Sequence, residues 1–421
     1  MDAYTADFSA FLQASPSSYH AAAEVARRLD AAGFTRLSES ESWTDAATNY
    51  VVRDGAVIAW SQPAGAGPTT PFRILGAHTD SPGFKLKPKP TIGSHGWLQA
   101  GVEVYGGPLL NSWLDRELEL AGRLVTRDGT EHLVRTGPFL RIPQLAVHLD
   151  REVNNGLTLD RQRHLTPVFG VGDASKADLL AHLAGLAGLR AADVAGYDIL
   201  TADTQPPATF GLGHELFAAG RLDNLSSVYA GLCALIQVSE RPTEIGPVSV
   251  LAAFDHEEIG SQSRSGASGP LLDDILTRIG HGATGSQRMQ AYAESWCLSA
   301  DAGHAVHPNY PERHDPANAP ILGGGPLLKI NANQRYATDA HGAALWARTC
   351  AQVNVEYQEF VSNNTVPCGS TIGPLTATRL GIRVVDVGVP LLSMHSTREL
   401  CHVNDPQALS AAAAAFFAPK A

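Results

Sequence analysis

Short apolar runs alternate with stretches of helical periodicity on both sides of a long segment of different character, and this alternation limits what the chain can become. Phe72-Arg73-Ile74-Leu75 reads as a buried strand ending at Gly76-Ala77-His78. Val248 to Phe254, Trp296 to Ser299 and Val384 to Val387 read as three more strands. Leu225 to Gln237, Leu271 to Ile279 and Gly342 to Val353 carry apolar residues at helical spacings. Strands alternating with helices in this way predict an α/β fold, a doubly wound sheet with helices on both faces. Two helices are expected within Asp7 to Ala32, broken at Ser15-Pro16-Ser17, and a hairpin about Asp54-Gly55. A C-terminal helix is expected from about Pro406, with Asp405 as its N-cap.

The intervening segment, from about Pro88 to Ala219, has short alternating runs such as Gly122 to Thr126, many Pro and Gly turns, and one helical stretch at Ala174 to Leu189. A chain of 421 residues exceeds one ordinary core. The expected division is an α/β domain of residues 1–88 plus 221–421, interrupted by a β-rich domain of residues 89–220. Gly323-Gly324-Gly325-Pro326 reads as a loop.

A formal net charge of −11, with no Lys/Arg run of five or more, argues against nucleic acid and against anionic membranes as partners. No stretch of 18 consecutive apolar residues occurs, and the N-terminus lacks a basic segment followed by an apolar one. The five cysteines are odd in number, widely spaced and without a CxxC pair, which fits a reducing compartment and an expected cytoplasmic location.

In open α/β sheets, ligands bind beyond the carboxyl ends of the strands. Four such ends here carry metal-binding residue types: His78 and Asp80, then Asp255 to Glu258, then Asp301, then His395. Asp223, just before a helix, reads either as a fifth ligand or as an N-cap. Asp80 is a ligand or else the group that orients the His78 imidazole. Glu257-Glu258 is a solvated helix start favoured by the dipole, or else one ligand beside one general base. Asp301 and His395, taken singly, are equally compatible with hydrogen-bonded structural roles. Jointly they are far more informative, because one sheet edge would collect them all. So many carboxylates in one place need compensating cations, and two imidazoles with carboxylates and no thiolate suit Zn²⁺ or a similar first-row ion.

Several motifs go further. Ala77-His78-Thr79-Asp80-Ser81-Pro82-Gly83, Arg221-Leu222-Asp223-Asn224, Phe254-Asp255-His256-Glu257-Glu258-Ile259-Gly260-Ser261, Ser299-Ala300-Asp301, His304-Ala305-Val306-His307-Pro308-Asn309-Tyr310 and Met394-His395-Ser396 closely resemble the aspartyl aminopeptidase family of zinc metallopeptidases. The likeness runs in order from about Phe8 to the C-terminus.

The resemblance implies two divalent ions per subunit, Zn²⁺ first and Co²⁺ or Mn²⁺ as alternatives. Asp223 would bridge them, with His78 and Asp301 completing one site and Glu258 and His395 the other. It implies Glu257 as general base and Asp80 as the residue orienting His78. It implies a peptidase domain interrupted by a dimerisation domain, homo-oligomers built from dimers and commonly dodecamers, and His148 reaching a neighbouring subunit's site. Lys329 and Tyr336, with His304 nearby, would face an acidic substrate side chain, supplying the local positive charge that the acidic surface denies. Without the resemblance, Lys329 reads as a solvated lysine at a strand end and His148 as a strand histidine bonded within its own domain.

The expected function is removal of N-terminal acidic residues, Asp then Glu, from peptides. A dinuclear aminopeptidase or amidohydrolase of other substrate preference, and a non-catalytic metal-binding scaffold, are the alternatives. The scaffold reading leaves Glu257 without a purpose.

Overall fold

The computed structural model describes residues 2–43 and 46–419. Among them runs a nine-stranded sheet in the order Thr35–Arg36, Thr48–Arg53, Ala56–Ser61, Val248–Phe254, Phe72–His78, Trp296–Ala300, Arg383–Gly388, Leu327–Ile330, Gln358–Val361. The four central strands are mutually parallel, so their carboxyl ends share one edge.

Side chains alternate across a strand, and here the alternation is in register over the whole centre of the sheet. Val250, Ile74, Cys297 and Val384 lie in one row, and Leu251, Leu75, Leu298 and Val385 in the next. The first row packs on Leu271, Ile275 and Ile372, from helices Leu271–Ile279 and Ile372–Leu380. The second packs on Val228, Leu232, Leu409 and Phe416, from helices Leu222–Ser239 and Asn404–Phe417. A sheet covered on both faces needs near-continuous apolar strands, which is how these sequences read. Each fully buried Leu or Val contributes about 1.5–3 kcal/mol relative to exposure.

The intervening segment forms a separate six-stranded antiparallel sheet, in the order Glu131–Arg135, Leu118–Thr126, Val194–Asp203, Gly83–Ser94, Trp97–Tyr105, Val168–Val171. Its core of Phe84, Leu120 and Ile199 is covered by Leu179 and Leu183 of helix Leu179–Leu186. A third, three-stranded sheet pairs Leu216–Ala219 with Ala208–Phe210 and with Glu399–His402. No helix of the described residues is long and apolar enough to cross a membrane.

Two local expectations change, and one helix was not expected. The Ala174–Leu189 stretch splits, because Asp178 accepts the Ala181 N–H at 2.9 Å and caps a shorter helix. Helix Gly285–Glu294 was not apparent from apolar spacing; its signal is the capping box of Thr284 and Gln287. Asp405 is no N-cap, since the helix begins at Asn404 and its carboxylate instead accepts the N–H groups of Gly323 and Gly325, at 2.9 and 3.2 Å. That contact is tertiary, so no local spacing reports it.

Candidate active site

The strand Phe72–His78 delivers His78 to the sheet edge, where it is 1% exposed. Its Nδ1 lies 3.0 Å from the backbone oxygen of Asp80 and 3.4 Å from Asp80 Oδ1. The opposite ring nitrogen, Nε2, lies 3.4 Å from Asp223 Oδ1, 3.9 Å from Asp301 Oδ1 and 4.0 Å from Glu257 Oε2. The other carboxylate oxygen of Asp223 lies 3.4 Å from Nε2 of His395, which is 3.5 Å from Glu258 Oε2. Asp223 thus stands between two imidazoles, one facing each oxygen.

Asp223 is not a helix cap. Arg221 takes the left-handed conformation, Asp223 and Asn224 depart from helical angles, and the peptide bond joining them is cis. Ser81 Oγ donates to the Asp223 carbonyl at 2.8 Å, and Asn224 Nδ2 to the Ala300 carbonyl at 2.8 Å. Asp80 organises the facing loop: Oδ1 accepts the Glu257 N–H at 3.0 Å, and Oδ2 accepts the Glu258 N–H at 3.2 Å and the Tyr105 hydroxyl at 2.9 Å. Glu257 and Glu258 belong to a short 3₁₀ turn preceded by His256 at φ 64°, whose Nδ1 lies 2.8 Å from Ser263 Oγ.

The electrostatics follow from crowding. Burial pushes the Glu257 carboxyl up to about 7, with His78 opposing and Asp301, Asp223 and Asp80 reinforcing. Burial likewise lifts Asp301 to about 6 against the pull of Lys329, and holds Glu258 well above the usual carboxylate range. Burial would lower the His395 imidazole, but Asp223 and Glu258 lift it to about 10.

Two buried oxygens, Asp223 Oδ1 and Glu258 Oε1, have no hydrogen-bond partner. Unpaired buried carboxylate oxygens are costly, and a cation is the natural compensation. The ligand atoms of His78, Asp223 and Asp301 lie within 4.8 Å of one another, as do those of Asp223, Glu258 and His395; His78, Glu257 and Glu258 form an overlapping set. Nitrogen and oxygen donors without thiolate suit zinc. The residues fit divalent metal.

The cluster opens into a cavity of about 440 Å³ lined also by His304, Arg313, Lys329, Tyr336 and Phe360. Lys329 is not a solvated strand-end residue: it is 1% exposed, with Nζ donating to the Ala302 carbonyl at 2.7 Å and lying 5.2 Å from the centre of the Tyr336 ring. His148 stays apart, on an exposed turn away from the cavity lining, and not in a strand. Sequence reading missed Tyr105 and Glu399. Glu399 is 2% exposed and accepts the N–H groups of both Asp223 and His395; its only sequence signal is an acid four residues beyond His395.

Residues 11–417 match the family model described as aminopeptidase I zinc metalloprotease, M18. The chain is similar to a probable M18 family aminopeptidase 2 of Streptomyces avermitilis, 54% identical over 419 residues that cover 98% of this chain and 97% of the relative. Among solved structures, a chain of the Ape4 and Nbr1 complex matches with a TM-score of 0.94 at 35% identity, over 98% of this chain and 85% of that one. The S. cerevisiae mApe1 dodecamer matches with a TM-score of 0.87 at 28% identity, over 99% and 96% of the two chains. With a sheet edge that gathers imidazoles and carboxylates and a family match over nearly its whole length, the chain belongs to the M18 family of zinc metallopeptidases and is a metal-dependent aminopeptidase.

Proposed function

We propose that this chain is a dinuclear zinc aminopeptidase that releases N-terminal acidic residues from peptides, aspartate ahead of glutamate. The observation that carries the specificity is Lys329, a buried lysine among the residues lining the same cavity as the carboxylate and imidazole cluster. A substrate carboxylate in that cavity would gain from the lysine's positive charge where a neutral side chain would not. Tyr336 and His304 line the same space.

In this reading His78 and Asp301 would hold one ion and Glu258 and His395 the other, with Asp223 within reach of both sets. The ions, when bound, polarise the scissile carbonyl and lower the pKa of a water molecule. Glu257, whose Oε2 lies 4.0 Å from His78 Nε2, takes the proton of the attacking water and returns it to the departing amine. Asp80 orients His78 and anchors the turn that carries both glutamates.

The antiparallel unit is proposed as the dimerising domain, presenting His148 to a partner subunit's site, where it would steady the oxyanion. Its exposed turn, with Leu145, Val147 and Leu149 also exposed, agrees with that. Likeness to an mApe1 dodecamer supports a homo-oligomer. Five free cysteines support a reducing, cytoplasmic setting.

The test is hydrolysis of an aspartyl peptide beside its glutamyl, alanyl and N-acetylated counterparts, by zinc-loaded wild type and by Glu257→Gln. Cleavage of free acidic substrates alone, abolished in the variant with zinc retained, is the expected result. Preferential cleavage of the alanyl peptide would end the acidic reading; cleavage of the acetylated one would favour an amidohydrolase.

A further inference from the structure

The bridging carboxylate and His395 come from distant parts of the chain, and one buried side chain joins them. Glu399 Oε2 accepts the backbone N–H of Asp223 at 2.9 Å, and Oε1 accepts that of His395 at 2.8 Å. Neither N–H has an alternative within regular structure. Asp223 departs from helical angles, and His395 sits in a turn at φ 65°. Left-handed backbone at a non-glycine residue persists only where surrounding contacts hold it.

Glu399 is itself rigidly mounted. It opens the strand Glu399–His402, and its register partner is Ala219, the last residue of the strand that leads into Arg221 and Asp223. The carboxylate therefore spans from one strand to the two loops, with both oxygens engaged.

We propose that Glu399 is a positioning residue that sets the spacing between Asp223 and His395, and so the affinity of the ion those two residues share. This rests on the two-ion reading given above. The effect falls more heavily on the ion shared with His395, because Glu399 holds both Asp223 and His395 there, whereas the other ion depends on Glu399 through Asp223 alone and its remaining ligands have their own supports. His78 is held by Asp80 at 3.0 Å, and Asp301 by its N–H to the Val387 carbonyl at 2.9 Å. On the near side, besides Glu399, the Gly107 carbonyl lies 2.9 Å from His395 Nδ1 and the Leu109 N–H donates to the His395 carbonyl at 2.9 Å.

Glu399→Gln is nearly isosteric but keeps one acceptor and turns an amide NH₂ toward the other N–H. Zinc content by mass spectrometry of the metal and stepwise affinity by competition with a chromogenic chelator read the outcome, with circular dichroism checking the fold. Wild type is expected to bind two ions. Glu399→Gln is expected to weaken the ion that Asp223 shares with His395 by about tenfold to a hundredfold, as when the supports of metal ligands are removed, and the other ion by clearly less. Glu399→Asp, which is one methylene shorter and reaches only one of the two groups, gives the same asymmetric loss and serves if the glutamine variant misfolds. Two ions at unchanged affinity in both variants, or equal weakening of both ions, would overturn the positioning role while leaving the two-ion reading intact. A wild type that binds fewer than two ions would remove both.

Discussion

Asp80 meets His78 on the side of the ring turned away from Asp223, with its backbone oxygen 3.0 Å and Oδ1 3.4 Å from Nδ1. An imidazole held there must present Nε2 to the cluster, and the same carboxylate fixes the turn carrying Glu257 and Glu258. Asp80→Ala is therefore expected to reduce zinc affinity and activity by about tenfold to a hundredfold. Tyr105→Phe, which removes only one donor to Asp80, should lose much less. Equal losses in the two variants, by zinc titration and initial rates, would contradict this hierarchy.

Lys329→Ala tests the acidic pocket. One charge-assisted hydrogen bond corresponds to roughly tenfold to a hundredfold. KM for an aspartyl peptide should rise by that factor, with little change for an alanyl one. Matching changes for both substrates would take Lys329 out of specificity.

Gly388 ends a central strand where a Cβ would meet the Asp301 backbone oxygen at 1.7 Å. Backbone cannot step aside as a flexible side chain can, so Gly388→Ala should displace Asp301. The expected loss of stability is about 1 to 3 kcal/mol, with weakened zinc binding. Chemical denaturation and zinc titration on one preparation would reveal a variant that changes neither, the result that would count against the contact.

His20, outside the ligand set, provides a pH-dependent prediction. Burial, with Arg135 and Arg221 acting in the same sense, lowers its imidazole from 6.5 to about 4, and Nδ1 lies 2.8 Å from Ser17 Oγ. The folded protein keeps His20 neutral while the unfolded chain binds a proton near 6.5. Its contribution is thus complete above about 6.5 and lost as pH falls toward 4, a span worth about 3 kcal/mol. Urea midpoints at pH 7.5 and 4.5 should converge more closely in His20→Gln than in wild type. The same pH sensitivity in both would show that other groups account for it.

Much was decided by the sequence alone. Apolar periodicity set the four parallel strands and the helices on either face, because a strand buried on both sides and an amphipathic helix each demand their own spacing. Strand ends then located His78, Glu258, Asp301 and His395 at one edge, with Asp223, just before a helix, as a fifth candidate. Tertiary structure decided what periodicity cannot carry: which strands are neighbours, and which side chains serve distant backbone groups. Glu399 lies 176 positions from Asp223, Asp405 lies 82 from Gly323, and Lys329 is buried against Ala302. A carboxylate accepting backbone N–H groups makes no demand on the side chains of its partners, so no residue pattern announces it. Only the folded chain brings those N–H groups within reach.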